Sequence, residues 1–106
     1  MGHVPLAQSM SVIMEFAIFP TDKGASVSPF VKQVVQMIDA LPFDSQLTAM
    51  GTLIECDTMD ECLSIISKAN AILEVVSERV YCTAKFDNKP GKSKQLAHKV
   101  AAIRGE

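Results

Sequence analysis

The chain has 106 residues, with ten basic and twelve acidic side chains giving a net charge of −2. That length holds one domain with a modest core. No apolar run is long enough to span a membrane, and so small a net charge argues neither for nor against an anionic partner. Three cysteines without a C-x-x-C pair fit a disulfide framework poorly and point to a reducing compartment. Cys56, Cys62 and Cys82 read as small core hydrophobes.

Residues 1–9, MGHVPLAQS, lack the basic start and apolar middle of a signal peptide. They read as a loose extension ahead of a single domain over 10–106, with Met10 a second candidate start. A cytoplasmic protein is expected. SVIMEFAIF (11–19) alternates as a strand does, with Val12, Met14, Phe16 and Ile18 on one face and Ile13, Glu15, Ala17 and Phe19 on the other. PTDKGAS breaks it. Ser28 followed by Pro29 predicts a helix start with a hydroxyl cap and proline at the first helical position. Val31, Val34, Val35, Ile38 and Leu41 keep helical spacing until Pro42.

QLTAMGTLIEC (46–56) predicts a hairpin of two short strands joined at Gly51. Thr58 and Glu61 form a T-x-x-E capping box, and the helix it opens carries Cys62, Leu63, Ile66, Ala69, Ile72, Leu73 and Val76. RVYCTAKFD (79–87) predicts the fourth strand, with Val80, Cys82, Ala84 and Phe86 facing the helices and Tyr81, Thr83, Lys85 and Asp87 facing away. NKPGKSK is a polar turn, and a short final helix follows with Leu96, Val100 and Ile103 in register. The order β-α-β-β-α-β is that of an α+β, ferredoxin-like sandwich: a four-stranded antiparallel sheet with helices on one face, plus a C-terminal helix.

The face away from the helices mixes Glu15, Phe19, Tyr81, Thr83 and Lys85, which is less uniformly polar than a solvated face and predicts cover by another subunit. Glu55 stands among Leu53, Ile54 and Cys56. If Ile54 lies under the helices, Glu55 faces the open side, and either a lysine across an interface or a ligand can be its partner. PGKS (90–93) imitates the end of a phosphate-binding loop, but Phe86 occupies the place of its first glycine. The C-terminal lysines lack interleaved aromatics, so neither nucleic acid nor membrane is an expected partner. His3 and His98 have no ligand-like spacing, and no nucleophile and base stand at a recognisable interval. No metal, cofactor or catalytic residue is expected.

From about Ser11 to Ala102 the chain resembles the small YkoF-like thiamine-binding proteins. The resemblance rests on VIMEFAIFPTDKGASVSPFV, on QLTAMGTLIEC and on RVYCTAKFD before a basic helix. Met50, Gly51, Thr52, Ile54 and Glu55 are its most specific part. Cys56 stands where the family commonly has glycine. The resemblance implies a ferredoxin-like fold, dimers pairing into a homotetramer, and binding of thiamine or hydroxymethylpyrimidine without catalysis. Thiamine has a flat aminopyrimidine and a cationic thiazolium, which suit aromatic, thioether, hydroxyl and carboxylate groups. Glu15, Phe19, Met50, Thr52, Glu55, Tyr81 and Thr83 are residues of these types and form the expected ligand set. The alternatives are a structural oligomeric interaction domain with no small-molecule ligand and an enzyme of thiamine-related metabolism.

Overall fold

The computed structural model describes residues 10–24, 27–90 and 95–105. It contains β1 (Met10–Pro20), α1 (Ser28–Asp39), β2 (Asp44–Thr48), β3 (Gly51–Cys56), α2 (Met59–Glu74), β4 (Val80–Pro90) and α3 (Gln95–Arg104). The readings of residues 1–9 and of most of the PGKS stretch lie outside the described residues. The strands form one antiparallel sheet in the order β2-β3-β1-β4, the ferredoxin-like arrangement expected from the element order.

β1 is central, and its alternation decides the core. Val12, Met14, Phe16 and Ile18 are all buried, as are Ile54 and Cys56 across from Met14 and Val12. Val34 and Ile38 of α1 and Cys62, Ile65, Ala69 and Leu73 of α2 close over them. Thr58 caps α2 as its sequence predicts: its hydroxyl accepts from Glu61 N (3.1 Å), and Glu61 Oε1 accepts from Thr58 N (3.0 Å).

Several sequence expectations need correction. Val27, not Ser28, is the N-cap of α1, and no side chain caps it; Pro29 still sits in the first turn, where its missing N–H costs nothing. Ile65 rather than Leu63 faces the core of α2, while Leu63 and Val76 are exposed. A capping box fixes where a helix starts, but the face it buries depends on how the helix is laid on the sheet. β4 runs on to Pro90 because its ladder with β1 continues through Asn88 and Lys89. The largest difference concerns the cover of β4. Cys82, Ala84 and Phe86 do point to the helix side, opposite Ile18, Phe16 and Met14, yet all three are exposed. β4 is an edge strand, and the two long helices lie over β1 and β3. Cys82 is therefore not a core thiol.

The second face carries Ser11, Ile13, Glu15, Ala17 and Phe19 of β1, paired with Glu55 and Leu53 of β3 and with Tyr81, Thr83, Lys85, Asp87 and Lys89 of β4. Here α3 packs at one end. Glu55, 9% exposed, accepts from Ser11 Oγ (2.5 Å), from Gln95 N (2.7 Å) and from Leu96 N (3.1 Å). A carboxylate at the first amides of a helix satisfies donors that have no intrahelical partner and complements the helix dipole. Leu96 is buried beside it, whereas Ile103, expected on the same apolar edge, is 88% exposed. Lys99 reaches Asp87 at 3.3 Å and ties the next turn of α3 to β4.

Two substitutions test this arrangement. Removing the carboxylate in Glu55→Ala should destabilise the fold by about 1–3 kcal/mol, because two helix-terminal amides and a buried hydroxyl lose their acceptor. Hydrogen exchange should show the loss first at Gln95 and Leu96; unchanged protection there would contradict the anchoring role. A Cβ at Gly51 would lie 2.7 Å from the Phe16 carbonyl oxygen. Gly51→Ala should therefore cost about 1–3 kcal/mol in urea unfolding, and a neutral result would show that the hairpin shifts freely.

Candidate ligand-binding site

β1 and β4 pair along eleven residues, but β3 pairs with β1 only from Val12↔Cys56 to Phe16↔Thr52. Beyond Phe16 the hairpin turns away. Thr48 holds the turn: its hydroxyl accepts from Met50 N and Gly51 N (both 3.2 Å) and donates to the Gly51 carbonyl (2.9 Å). A gap is left between this turn, the continuing edge of β1 and the N-terminal half of α1. It is a pocket of about 310 Å³, within the size range of small-molecule sites. Phe16, Ile18, Val31, Val34 and Leu47 make its walls apolar, while Thr48 and Thr52 add hydroxyls and Met50 stands at the hairpin tip.

Three of the seven expected residues, Phe19, Met50 and Thr52, line this pocket. Met50 is 84% exposed there. Phe19 also belongs to the open face, where its ring lies 5.6 Å from that of Tyr81, its cross-strand partner. Thr83 pairs with Ala17, and Glu15 pairs with Lys85, whose ammonium is 3.8 Å from the Glu15 carboxylate. Glu15, Tyr81 and Thr83 thus form a row beside Phe19 on the open face. Glu55 lies on that face too, but opposite Ile13 and beneath α3, where its carboxylate holds the helix. The geometry divides the set between a pocket, an adjoining strip and a helix anchor.

The valines of α1 were legible only as core. Val34 is buried, while Val31 and Val35 are half-buried because they border the pocket. A helical stripe with more valines than the core consumes was the signal available. Just past the same end of β1, Asp22 ties the β1–α1 loop to the α2–β4 loop. It accepts from Ser77 Oγ (2.5 Å) and Glu78 N (2.8 Å), and the Ser77 hydroxyl followed by the Glu78 amide holds its carboxyl below the usual range.

Cys56 and Cys62 sit side by side in the core. The hydrogen bond between the thiols, followed by burial, pushes the Cys56 thiol well above its ordinary value. That makes Cys56 a packed hydrophobe and not a nucleophile. Among the described residues, no three His, Cys, Asp or Glu side chains gather to hold a metal ion. No helix among them is long and apolar enough to cross a membrane.

Comparison with known proteins agrees with this architecture. A UPF0045 protein of Methanocaldococcus jannaschii is 33% identical over 92 residues, covering 87% of this chain and 91% of that protein. A UPF0045 protein of Mycobacterium bovis is 29% identical over 94 residues, 89% of this chain and 92% of the other. The crystal structure of a hypothetical protein from M. jannaschii superposes with a TM-score of 0.79 at 31% identity, covering 88% of this chain and 95% of that one. A Thermotoga maritima protein proposed to act in thiamine biosynthesis or salvage shares the fold, with a TM-score of 0.70 at 13% identity over 85% of this chain and 98% of that one. The model of the thiamine-binding protein family matches residues 14–104. The match runs from Met14 in β1 to the end of α3 and includes all three helices, and the chain belongs to the thiamine-binding protein family.

Proposed function

We propose that this protein binds thiamine, or its hydroxymethylpyrimidine half, without chemically changing it, and that the pocket between α1 and the β2–β3 turn receives the pyrimidine ring. The observation that carries this reading is the pocket itself: about 310 Å³ of apolar wall with threonine hydroxyls at its edge. A flat heteroaromatic ring needs such walls for its faces and a few polar groups for its rim. Phe19 joins the pocket to the open face. A thiazolium extending over the Phe19–Tyr81 pair would meet aromatic faces suited to a cation, with Thr83 and the Glu15 carboxylate further along the strip. Glu55 supports the site by fixing α3, which limits the far end of the same face.

Calorimetric titration with thiamine, thiamine phosphate and hydroxymethylpyrimidine tests the reading. One thiamine should bind per chain and be recovered unchanged after prolonged incubation. Val31→Phe fills the pocket from the α1 side and should weaken binding about tenfold or more, which corresponds to about 1.4 kcal/mol. Binding of none of the three compounds would remove the proposal. Conversion of thiamine during incubation would replace it with the enzymatic alternative.

The same reading includes a homotetramer, built as a dimer of dimers, and β4 is the edge that supports it. An eleven-residue edge strand with Cys82, Ala84 and Phe86 uncovered invites pairing with a second copy. Antiparallel self-pairing centred on Phe86 sets Lys85 against the partner's Asp87 in both directions, whereas centring on Lys85 opposes two like charges. The open face beyond α3, with its Phe19–Tyr81 pair, is then available for two such dimers to meet. Light scattering at micromolar concentration should report a tetramer, and Phe86→Lys should reduce it to smaller species. A monomeric parent protein would contradict the assembly.

A further inference from the structure

The backbone beside the pocket carries more information than its side chains. In an antiparallel ladder a residue sends its N–H and C=O to the same side, and successive residues alternate between neighbours. Two contacts fix that alternation in β1. The Phe16 carbonyl faces β3, since a Cβ at Gly51 would lie 2.7 Å from its oxygen. Thr21 N donates to Arg79 O at 2.9 Å, so odd-numbered residues face the β4 side. Val12, Met14 and Phe16 thus make the hydrogen-bonded pairs with Cys56, Ile54 and Thr52. The next pair in this series would be Ile18 with Met50.

That pair does not form. The ladder ends at Phe16↔Thr52. Met50 N, the group that would donate to the Ile18 carbonyl, donates to Thr48 Oγ1 at 3.2 Å. On its other side Ile18 opposes Cys82 in a pair that exchanges no hydrogen bonds, and no described loop residue bonds to the Ile18 backbone. Ile18 is 5% exposed and lines the pocket. A buried backbone donor and acceptor without strand partners is uncommon, because nearly all such groups in folded proteins are satisfied.

We propose that the Ile18 N–H and C=O, left without a partner among the described residues where β3 turns away, form the recognition edge of the pocket and receive the donor–acceptor edge of an aminopyrimidine. The inference rests on the thiamine-binding reading and goes beyond it by naming the atoms that select the ring. The ring nitrogen next to the amino group accepts from Ile18 N–H, and the amino group donates to the Ile18 carbonyl. The ligand thereby takes the place of the missing Met50 rung. Phe16 and Val31 enclose the ring faces, so that both hydrogen bonds form away from water, where a mismatched group is costly. A ring bearing a keto oxygen in place of the amino group reverses the pattern, setting N–H against N–H and C=O against C=O.

The test uses the full chain labelled with [¹⁵N]isoleucine, titrated with thiamine and with the analogue whose 4-amino group is replaced by a keto oxygen. Thiamine should shift the Ile18 amide resonance well beyond those of Ile38 and Ile54, and the keto analogue should bind about tenfold or more weakly, a loss on the scale of one hydrogen bond left unmade. If thiamine binds but leaves the Ile18 amide in place, or if the keto analogue binds equally well, the recognition edge is wrong and the binding proposal survives. If thiamine does not bind at all, the binding proposal falls and this inference with it.

Discussion

The inequality of the strands flanking β1 is the constraint on which the rest of the molecule depends. β4 follows β1 along its whole length, and β3 follows it for five pairs. A sheet with matched strands would be closed at that end. Here the hairpin stops at Gly51, which is pressed against the Phe16 carbonyl so closely that no side chain fits, and α1 passes over the gap. The pocket is therefore a product of pairing lengths and not of a special loop. Its walls are the same residue types as the core, because they belong to the same strand and helix faces.

Glu55 organises the opposite end. Its carboxylate collects a hydroxyl from β1 and two amides from α3, so a single side chain joins the sheet to a helix that begins forty residues later. The open face is divided as a result: one end lies under α3, and the other, around Phe19 and Tyr81, stays accessible beside the pocket. Lys99 and Asp87 add an exposed pair to this attachment, which contributes little alone but acts next to a buried anchor.

Local signals were legible in the sequence to the degree that they were local. The period of two in β1 and the T-x-x-E pattern at Thr58 each involve residues within a few positions of one another, and both are realised. The faces of the strands were also legible, down to Glu55 opposing Ile54. What could not be read was how far the helices reach across the sheet. The apolar row Cys82, Ala84 and Phe86 looks identical whether or not a helix covers β4, and only the placement of α1 and α2 over β1 and β3 leaves it exposed. The same holds for the site. Phe19, Met50 and Thr52 could be picked out by chemistry, but their separation from Glu55 follows from register. The Ile18 backbone has no sequence signature, since its lack of a partner among the described residues depends on where a different strand ends.

The β1–β4 ladder also governs when this protein can fold. Met10 pairs with Pro90, eighty residues away, and the central strand has no neighbour on that side until the last strand exists. Contacts so distant in sequence require closure of a long loop before they repay it, which slows folding relative to helical proteins of equal size. During synthesis, β1, α1 and the β2–β3 hairpin emerge first and can associate, but they leave the β4 side of β1 open. Its apolar face then has only a partial sheet behind it. The nascent chain thus passes through an interval in which an unpaired strand edge is exposed to other nascent chains, and the arrival of residues 80–90 ends it.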